Sequence, residues 1–398
     1  MKRIIFSVAL LFCAFLSQAQ VFKMDDEPHL AFVDKAQYVS TAMQLDDYLP
    51  LIEGKHVGLV GNQTSIIGET HLVDTLLSLG IDIKKIYTPE HGFRGTADAG
   101  AKVNSGKDGK TGIAIVSLYG KNKKPTPEML QGIDIILFDL QDVGVRFYTY
   151  ISTMSYVMEA AAENHIPVVV LDRPNPNGFY VDGPVLKPEN QSFVGLHQVP
   201  VVYGMTIGEY AKMVNGEGWL KGGISCDLTV IPINNYNRNA IYELPVKPSP
   251  NLPNWESVYL YPTLCFFEGT IVSIGRGTDN PFQVYGQPSM RGSYTFTPQS
   301  TNGASKPLLE GQRCRGENLV EFAHDYAHNT NEIHLEWIIE AYQQLKDKGF
   351  FNNYFVKLSG DSQLQRDIEN GKSADEIRAS WSKDLEAFKA IRAKYLMY

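Results

Sequence analysis

Apolar and polar positions fall into alternating blocks along the first part of the chain, and the blocks have two different periods. The nearly continuous apolar run at residues 133–140 and the one at 168–171 read as strands buried on both faces, and residues 56–61, 83–87, 113–118 and 226–231 read as further strands. Between them lie segments with helical spacing at 69–79, 126–132, 148–165 and 206–216. The first stops at Gly80, and the second starts on Thr126 as cap with Pro127 in its first turn. This alternation predicts an α/β fold, a Rossmann-like, mostly parallel sheet flanked by helices. After about residue 235 the texture changes. Pro245, Pro248, Pro250, Pro253 and Pro262 punctuate the chain, and glycines and aromatics follow. A second, smaller α+β domain is expected there, with helices at 316–328, 334–346 and 373–395. The last opens on a capping box of Ser373 and Glu376. The domain map is therefore a loosely ordered extension at 20–44, a Rossmann-like domain at 45–235 and a C-terminal domain at 236–398.

The leading residues carry a different signal. Lys2 and Arg3 precede an apolar run at 4–16, and Ser17-Gln18-Ala19 follows. That pattern predicts a Sec signal peptide over 1–19, cut after Ala19, and hence a periplasmic or secreted protein. The run is shorter than the roughly 20 residues a spanning helix needs. No later stretch is apolar enough to span, so no membrane span is expected. Without the leader, Cys226, Cys265 and Cys314 remain. Three cysteines allow at most one internal disulfide and fit no zinc spacing, which leaves three buried thiols or one pair plus a thiol. Hydrophobic residues at 43% and charged residues at 20% suit an ordinary folded chain. The net charge of −8 argues against a nucleic-acid partner, because phosphate binding needs a basic face. A few local arginines still suffice for a small anionic ligand.

In an open α/β sheet, ligands sit beyond the carboxyl ends of the strands. The polar residues gather at those ends: Asn62, then Glu90 and His91, then residues 139–146, then Asp172 and Arg173. In Thr88-Pro89-Glu90-His91-Gly92-Phe93-Arg94-Gly95 an acid, an imidazole and an arginine lie between glycines, straight after a strand. A carboxyl beside apolar groups can act as general acid. The alternative is a turn with a structural Glu90–Arg94 pair. The segment 138–150 brings Asp139, Asp142, Arg146, Tyr148 and Tyr150, suited to a hydroxyl-rich ligand with an apolar sugar face. Here too a structural alternative stands: Asp139 as helix cap, and Asp142 paired with Arg146. Asp172 and Arg173 sit in a proline-stiffened loop. In the second domain, Asn251 lies in Ser249-Pro250-Asn251-Leu252-Pro253, Glu268 in Phe267-Glu268-Gly269-Thr270, and Arg276 and Thr278 in Gly275-Arg276-Gly277-Thr278. One guanidinium on a glycine frame suits a carboxylate. No phosphate loop, nucleophile elbow or His-Glu-x-x-His occurs, and the nine histidines are scattered, so neither a metal nor a cofactor is expected.

Taken in order, these segments resemble the NamZ-type exo-β-N-acetylmuramidases. The likeness rests on 87–95, 117–120 with 125–130, 138–150, 171–178, 183–186, 192–195, 203–206, 249–253 and 268–282. It runs from about residue 40 to the C-terminus. The resemblance implies a Rossmann-like domain, a smaller C-terminal domain and an active site in the cleft between them. It also implies release of a terminal, non-reducing β-linked N-acetylmuramic acid from peptidoglycan-derived glycans or muropeptides. Glu90, in the Pro-Glu-His-Gly-Phe-Arg-Gly motif, is the acid it assigns. Asp142 is then the first candidate for the second catalytic group, with Asp139 and Glu268 behind it. A second protein carboxyl about 5–5.5 Å away would mean retention, and about 6.5–9.5 Å inversion. The acetamido group of the substrate is a further candidate nucleophile. Muramic acid differs from glucosamine by a lactyl carboxylate. Arg276 and Arg94, then Arg146, are the expected cations for it. A periplasmic protein that captures muropeptides without cleaving them is the competing reading.

Overall fold

In the computed structural model, residues 30–90, 92–93, 105–327 and 330–398 are described. The predicted strands assemble into one sheet of seven: β1 His56–Gly61, β2 Asp82–Thr88, β3 Gly106–Lys107, β4 Ala114–Ser117, β5 Ile135–Asp139, β6 Val168–Leu171 and β7 Leu228–Ile231. Their order is β7-β6-β5-β1-β2-β4-β3. Every pairing is parallel except that of the short edge strand β3 with β4. β5 and β6 are buried along their whole length, which is why they read as unbroken apolar runs. Val60 of the central β1 lies between Phe138 and Tyr87.

Helices cover both faces. The expected helix at 69–79 begins later, at Leu72, as α1 Leu72–Ser78. The preceding Thr70–His71 pairs with Ile66–Ile67 in a hairpin, and the His71 ring then caps the helix by accepting from Val73 N. α2 Tyr150–Glu163 packs beside α3 Ile207–Gly216, which starts on a capping box of Thr206 and Glu209.

Three further findings depart from the sequence pattern. Residues 30–44 are packed, not loose: Ala31–Val33 pairs with Ala240–Tyr242, and the Thr41 hydroxyl donates to Asp172 O at 2.6 Å. The helix expected at 316–328 is a strand, Cys314–Asn318, followed by a short helix, Val320–Tyr326. That strand sits between Val284–Gln287 and Tyr294–Phe296 in an antiparallel sheet. Gly316 lies opposite Gly286, and a Cβ on Gly316 would stand 1.8 Å from Tyr285 O, so only glycine lets the strands close. The three cysteines are separate buried thiols.

The C-terminal part folds back over the first. α4 Ala374–Arg392 starts on the predicted Ser373–Glu376 capping box. Along it, Trp381 Nε1 donates to Asp182 at 3.1 Å, Lys187 pairs with Asp384 at 2.6 Å, and Arg392 donates to Gly204 O. Arg146 joins the two parts from inside. Its guanidinium donates to the carbonyls of Pro184 and Val199 on one side and of Leu358 and Ser359 on the other, at 2.6–2.9 Å.

Candidate active site

The chain leaves β1 toward β2 on one side and returns to β5 on the other. The connections leaving the carboxyl ends of β1 and β5 therefore diverge and open a crevice, the place where open α/β sheets take ligands. A cavity of about 900 Å³ lies there, walled by both parts of the chain. Asn62, just past β1, is buried and holds one wall. Its Nδ2 donates to the Tyr150 hydroxyl at 2.8 Å, while its Oδ1 accepts from Thr64 N and Oγ1 at 2.9 and 2.7 Å. The rings of Tyr148 and Tyr150 meet edge to face at 4.7 Å and both line the cavity. The Tyr148 hydroxyl donates to Pro248 O at 2.8 Å, tying this wall to the second part.

Glu90 stands two residues beyond β2 and lines the cavity. Tyr119, two residues beyond β4, is hydrogen-bonded to it. Burial first, and then the charge of Glu90, push the Tyr119 phenol far above its ordinary range. The phenol stays protonated and its hydroxyl bonds to the Glu90 carboxyl group.

The facing wall comes from the C-terminal part. Arg276 clamps Glu268: Nε and Nη2 lie 2.9 and 2.6 Å from Oε1. The guanidinium also lies over the Phe282 ring at 4.9 Å. The Cys265 thiol reaches Glu268 Oε2 at 3.5 Å, and Tyr261 bonds to that thiol. Tyr354 lies in the field of Cys265, Glu268, Glu90 and Tyr119, and burial raises its phenol above all of these effects. Acids from both walls thus act on one phenol. Among the described residues, Glu90 and Glu268 are the carboxylates lining the cavity. Asn251 supports the rim at one remove, its Nδ2 donating to Gly303 O at 2.7 Å. Gly277, at φ +80°, would place a Cβ 2.2 Å from Gln299 O, so glycine is required where this rim loop crosses the Gly275–Thr278 turn.

Several expected ligand contacts are structural instead. Asp139 is wholly buried in a bidentate pair with Arg173, 2.7 Å from Nε and 2.8 Å from Nη2. Asp172 accepts from Thr206 Oγ1, Gly208 N and the Tyr398 hydroxyl at 2.6–2.8 Å, so it anchors the start of α3 and the C-terminus. Asp142 accepts from Gly144 N and the Tyr203 hydroxyl, and forms no pair with Arg146. Thr278 closes its own turn onto Gly275 O. None of Asp139, Asp142, Arg146, Asp172 or Thr278 lines the cavity. For the four residues of the first part the physical reason is common: a polar group behind a buried strand end finds buried backbone and side-chain partners before it reaches solvent. His91 and Arg94 lie outside the described residues. Tyr119 was within reach of the strand-end rule. Tyr261, Tyr354 and Lys357 have no comparable local signal. Among the described residues, no group of three His, Cys, Asp or Glu side chains is placed to hold a metal.

Burial pushes the Asp142 carboxyl up to about 6, against hydrogen bonds that lower it. The folded chain then holds a proton that the unfolded chain has already released between about pH 4 and 6. Stability from this group is present below that window and is lost as pH rises through it, by about 3 kcal/mol. Asp142→Asn keeps an oxygen acceptor for Tyr203 and Gly144. It should flatten that slope in urea unfolding at pH 4 and pH 7. An identical slope in variant and wild type would assign the effect elsewhere.

Comparison with known proteins agrees with this architecture. Residues 57–256 match the profile "Exo-beta-N-acetylmuramidase NamZ, N-terminal", and residues 259–398 match its C-terminal counterpart. The chain belongs to the NamZ exo-β-N-acetylmuramidase family. It is 41% identical over 378 residues to the peptidoglycan β-N-acetylmuramidase NamZ of Bacillus subtilis, covering 89% of each. Two crystal structures of Bacteroides fragilis DUF1343 family proteins share its fold. One has 45% identity and a TM-score of 0.84, the other 29% and 0.78, and each covers 90% of this chain and 98% of its own. The matched NamZ segments meet between residues 256 and 259, so Glu90 falls in the first and Glu268 in the second, and each half contributes one of the cavity acids.

Proposed function

We propose that this NamZ family member is an exo-acting glycoside hydrolase that releases terminal, non-reducing β-linked N-acetylmuramic acid from peptidoglycan fragments. One observation carries the chemistry: the cavity at the sheet's switch point presents two carboxylates from opposite walls, Glu90 held by Tyr119 and Glu268 held by Arg276. Glycosidases use a carboxylic acid to protonate the leaving oxygen and a second carboxylate against the developing oxocarbenium ion. Glu90 takes the first role. Glu268 takes the second, in place of the buried Asp142. A protein that only captures muropeptides has no use for such a pair. Tyr119, Tyr148 and Tyr354 offer ring faces to the sugar, and the Tyr354 phenol offers a donor.

The test is chromophore release by the wild type from a para-nitrophenyl β-N-acetylmuramide beside the matching glucosaminide. Cleavage of the muramide alone is expected. A well-folded protein that cleaves neither, yet binds free N-acetylmuramic acid, would overturn the hydrolase reading. Export through the 1–19 leader belongs to the same reading, since the substrate lies outside the cytoplasm. It predicts Gln20 as the first residue of the exported chain, read by mass spectrometry; an intact leader on exported protein would contradict it.

A further inference from the structure

The chain is acidic, with 36 basic against 44 acidic side chains. Its cavity is not. Among the described lining residues there are four cations, Lys123, Arg276, Lys306 and Lys357, and two carboxylates, Glu90 and Glu268. Arg276, the cation expected for the lactyl carboxylate, already has a carboxylate partner in Glu268 and a ring partner in Phe282. The three lysines make no ion pair among the described residues, so the uncommitted positive charge of the cavity is theirs.

Lys123 is held by a ring, and Lys306 and Lys357 sit on backbone that is pinned in place. The Lys123 ammonium sits 4.4 Å over the Phe193 ring. Phe193 is itself stacked on Tyr156, centroids 6.1 Å apart and planes 6° from parallel. Phe193, stacked on Tyr156 and carrying the ammonium, helps to place Lys123 at the cavity wall. Lys357 is on the short helix Phe355–Ser359, three residues after Tyr354 and so on the same face, and Tyr354 feels both cavity acids. The carbonyl ends of that helix are fixed by Arg146. Lys306 rides on the rim loop that Asn251 and Gly277 pin in place. Lys123 comes from the sheet side, Lys306 and Lys357 from the C-terminal side. Lysines on an ordinary surface point outward into water beside acidic neighbours. Three that line one open cavity, none of them in an ion pair among the described residues, leave it a net positive charge that suits an anion.

We infer that Lys123, Lys306 and Lys357 form a cationic wall that recognises a carboxylate carried on the lactyl substituent of the substrate. This rests on the muramidase reading and names what sets its specificity. The carboxylate is either that of the free lactyl group or that of the first acidic residue of an attached stem peptide. Both present the same chemistry to the lysines.

The experiment compares kcat/KM on three nitrophenyl β-muramides: the free lactyl acid, its neutral methylamide, and one bearing an L-Ala–D-Glu dipeptide. Wild type should favour a charged substrate over the methylamide by about tenfold or more. In Lys123→Met/Lys306→Met/Lys357→Met the advantage should fall toward one, through a raised KM, with the methylamide rate retained. The three arginine replacements should restore it. Loss on the free acid identifies the lactyl carboxylate; loss on the dipeptide substrate alone identifies the peptide. Either supports the wall. An unchanged ratio on both overturns it while leaving the hydrolase intact. Failure of wild type to cleave any of the three strikes the hydrolase reading instead. Arg276→Ala is the contrast: it should lower all three rates alike, because it acts through Glu268.

Discussion

Glu90→Gln is expected to lower kcat/KM on a muramic acid–glucosamine disaccharide by about 10²–10⁴-fold, the range of general acid catalysis. The loss should be much smaller on the nitrophenyl muramide. A sugar hydroxyl leaves as a strong base and needs a proton as the bond breaks. Nitrophenolate leaves readily without one, so less of its rate depends on the acid. Glutamine is nearly isosteric and still accepts from the Tyr119 hydroxyl, so the cavity wall and the unfolding midpoint should hold. The dependence on leaving group distinguishes an acid from a residue that merely shapes the site. Equal losses on both substrates would remove Glu90 from the acid role. A loss with both substrates that follows a fall in thermal midpoint would make it structural.

How Glu90 came to be legible, and Glu268's partners did not, is a matter of physics along the chain. β1, β5 and β6 are buried on both faces, so they had to be apolar runs, and their order dictated a parallel sheet with a rim at the carboxyl ends. Glu90 stands at that rim, two residues beyond β2, whose last three residues are buried. The same rule misplaced Asp139, Asp142, Arg146 and Asp172. A polar side chain after a buried strand meets the same local sequence whether it faces a ligand or satisfies buried backbone, and only the tertiary partners decide: Arg173 for Asp139, Tyr203 for Asp142, Tyr398 for Asp172. The C-terminal wall was harder still. Tyr354 and Lys357 reach the cavity only because the chain folds back across the first part, and one short helix carries no periodicity that announces it. The strand Cys314–Asn318 was hidden for a related reason: its pairing depends on a glycine face, which has no apolar pattern.

Arg146→Met is expected to destabilise the protein by about 4 kcal/mol, and to weaken catalysis from a distance. The methionine keeps most of the apolar stem but removes every donor. Of the four carbonyls the guanidinium serves, Val199 O retains a bond from Leu186 N at 3.1 Å. Pro184, Leu358 and Ser359 lose their guanidinium donor. Leaving a buried acceptor unsatisfied costs about 1–3 kcal/mol each, offset in part because a buried cation without a carboxylate partner is also relieved. Urea unfolding measures the net. The functional consequence follows from where two of those carbonyls lie. Leu358 and Ser359 close the helix that displays Lys357, with Tyr354 at its start. Without Arg146 that helix is tied to the first part of the chain only through Gly360 O, which accepts from Lys187 N at 2.8 Å and Asn190 Nδ2 at 3.1 Å, and the lysine wall is loosened with it. Below its own melting range, Arg146→Met should therefore show a raised KM and a reduced preference for charged substrates. Arg146→Lys keeps the charge, but a single ammonium cannot span both carbonyl pairs, so it should fall between the two. A variant within about 1 kcal/mol of wild type would mean that water replaces the guanidinium, and that α4 and the bonds of Pro248 O and Gly360 O hold the two parts of the chain without it.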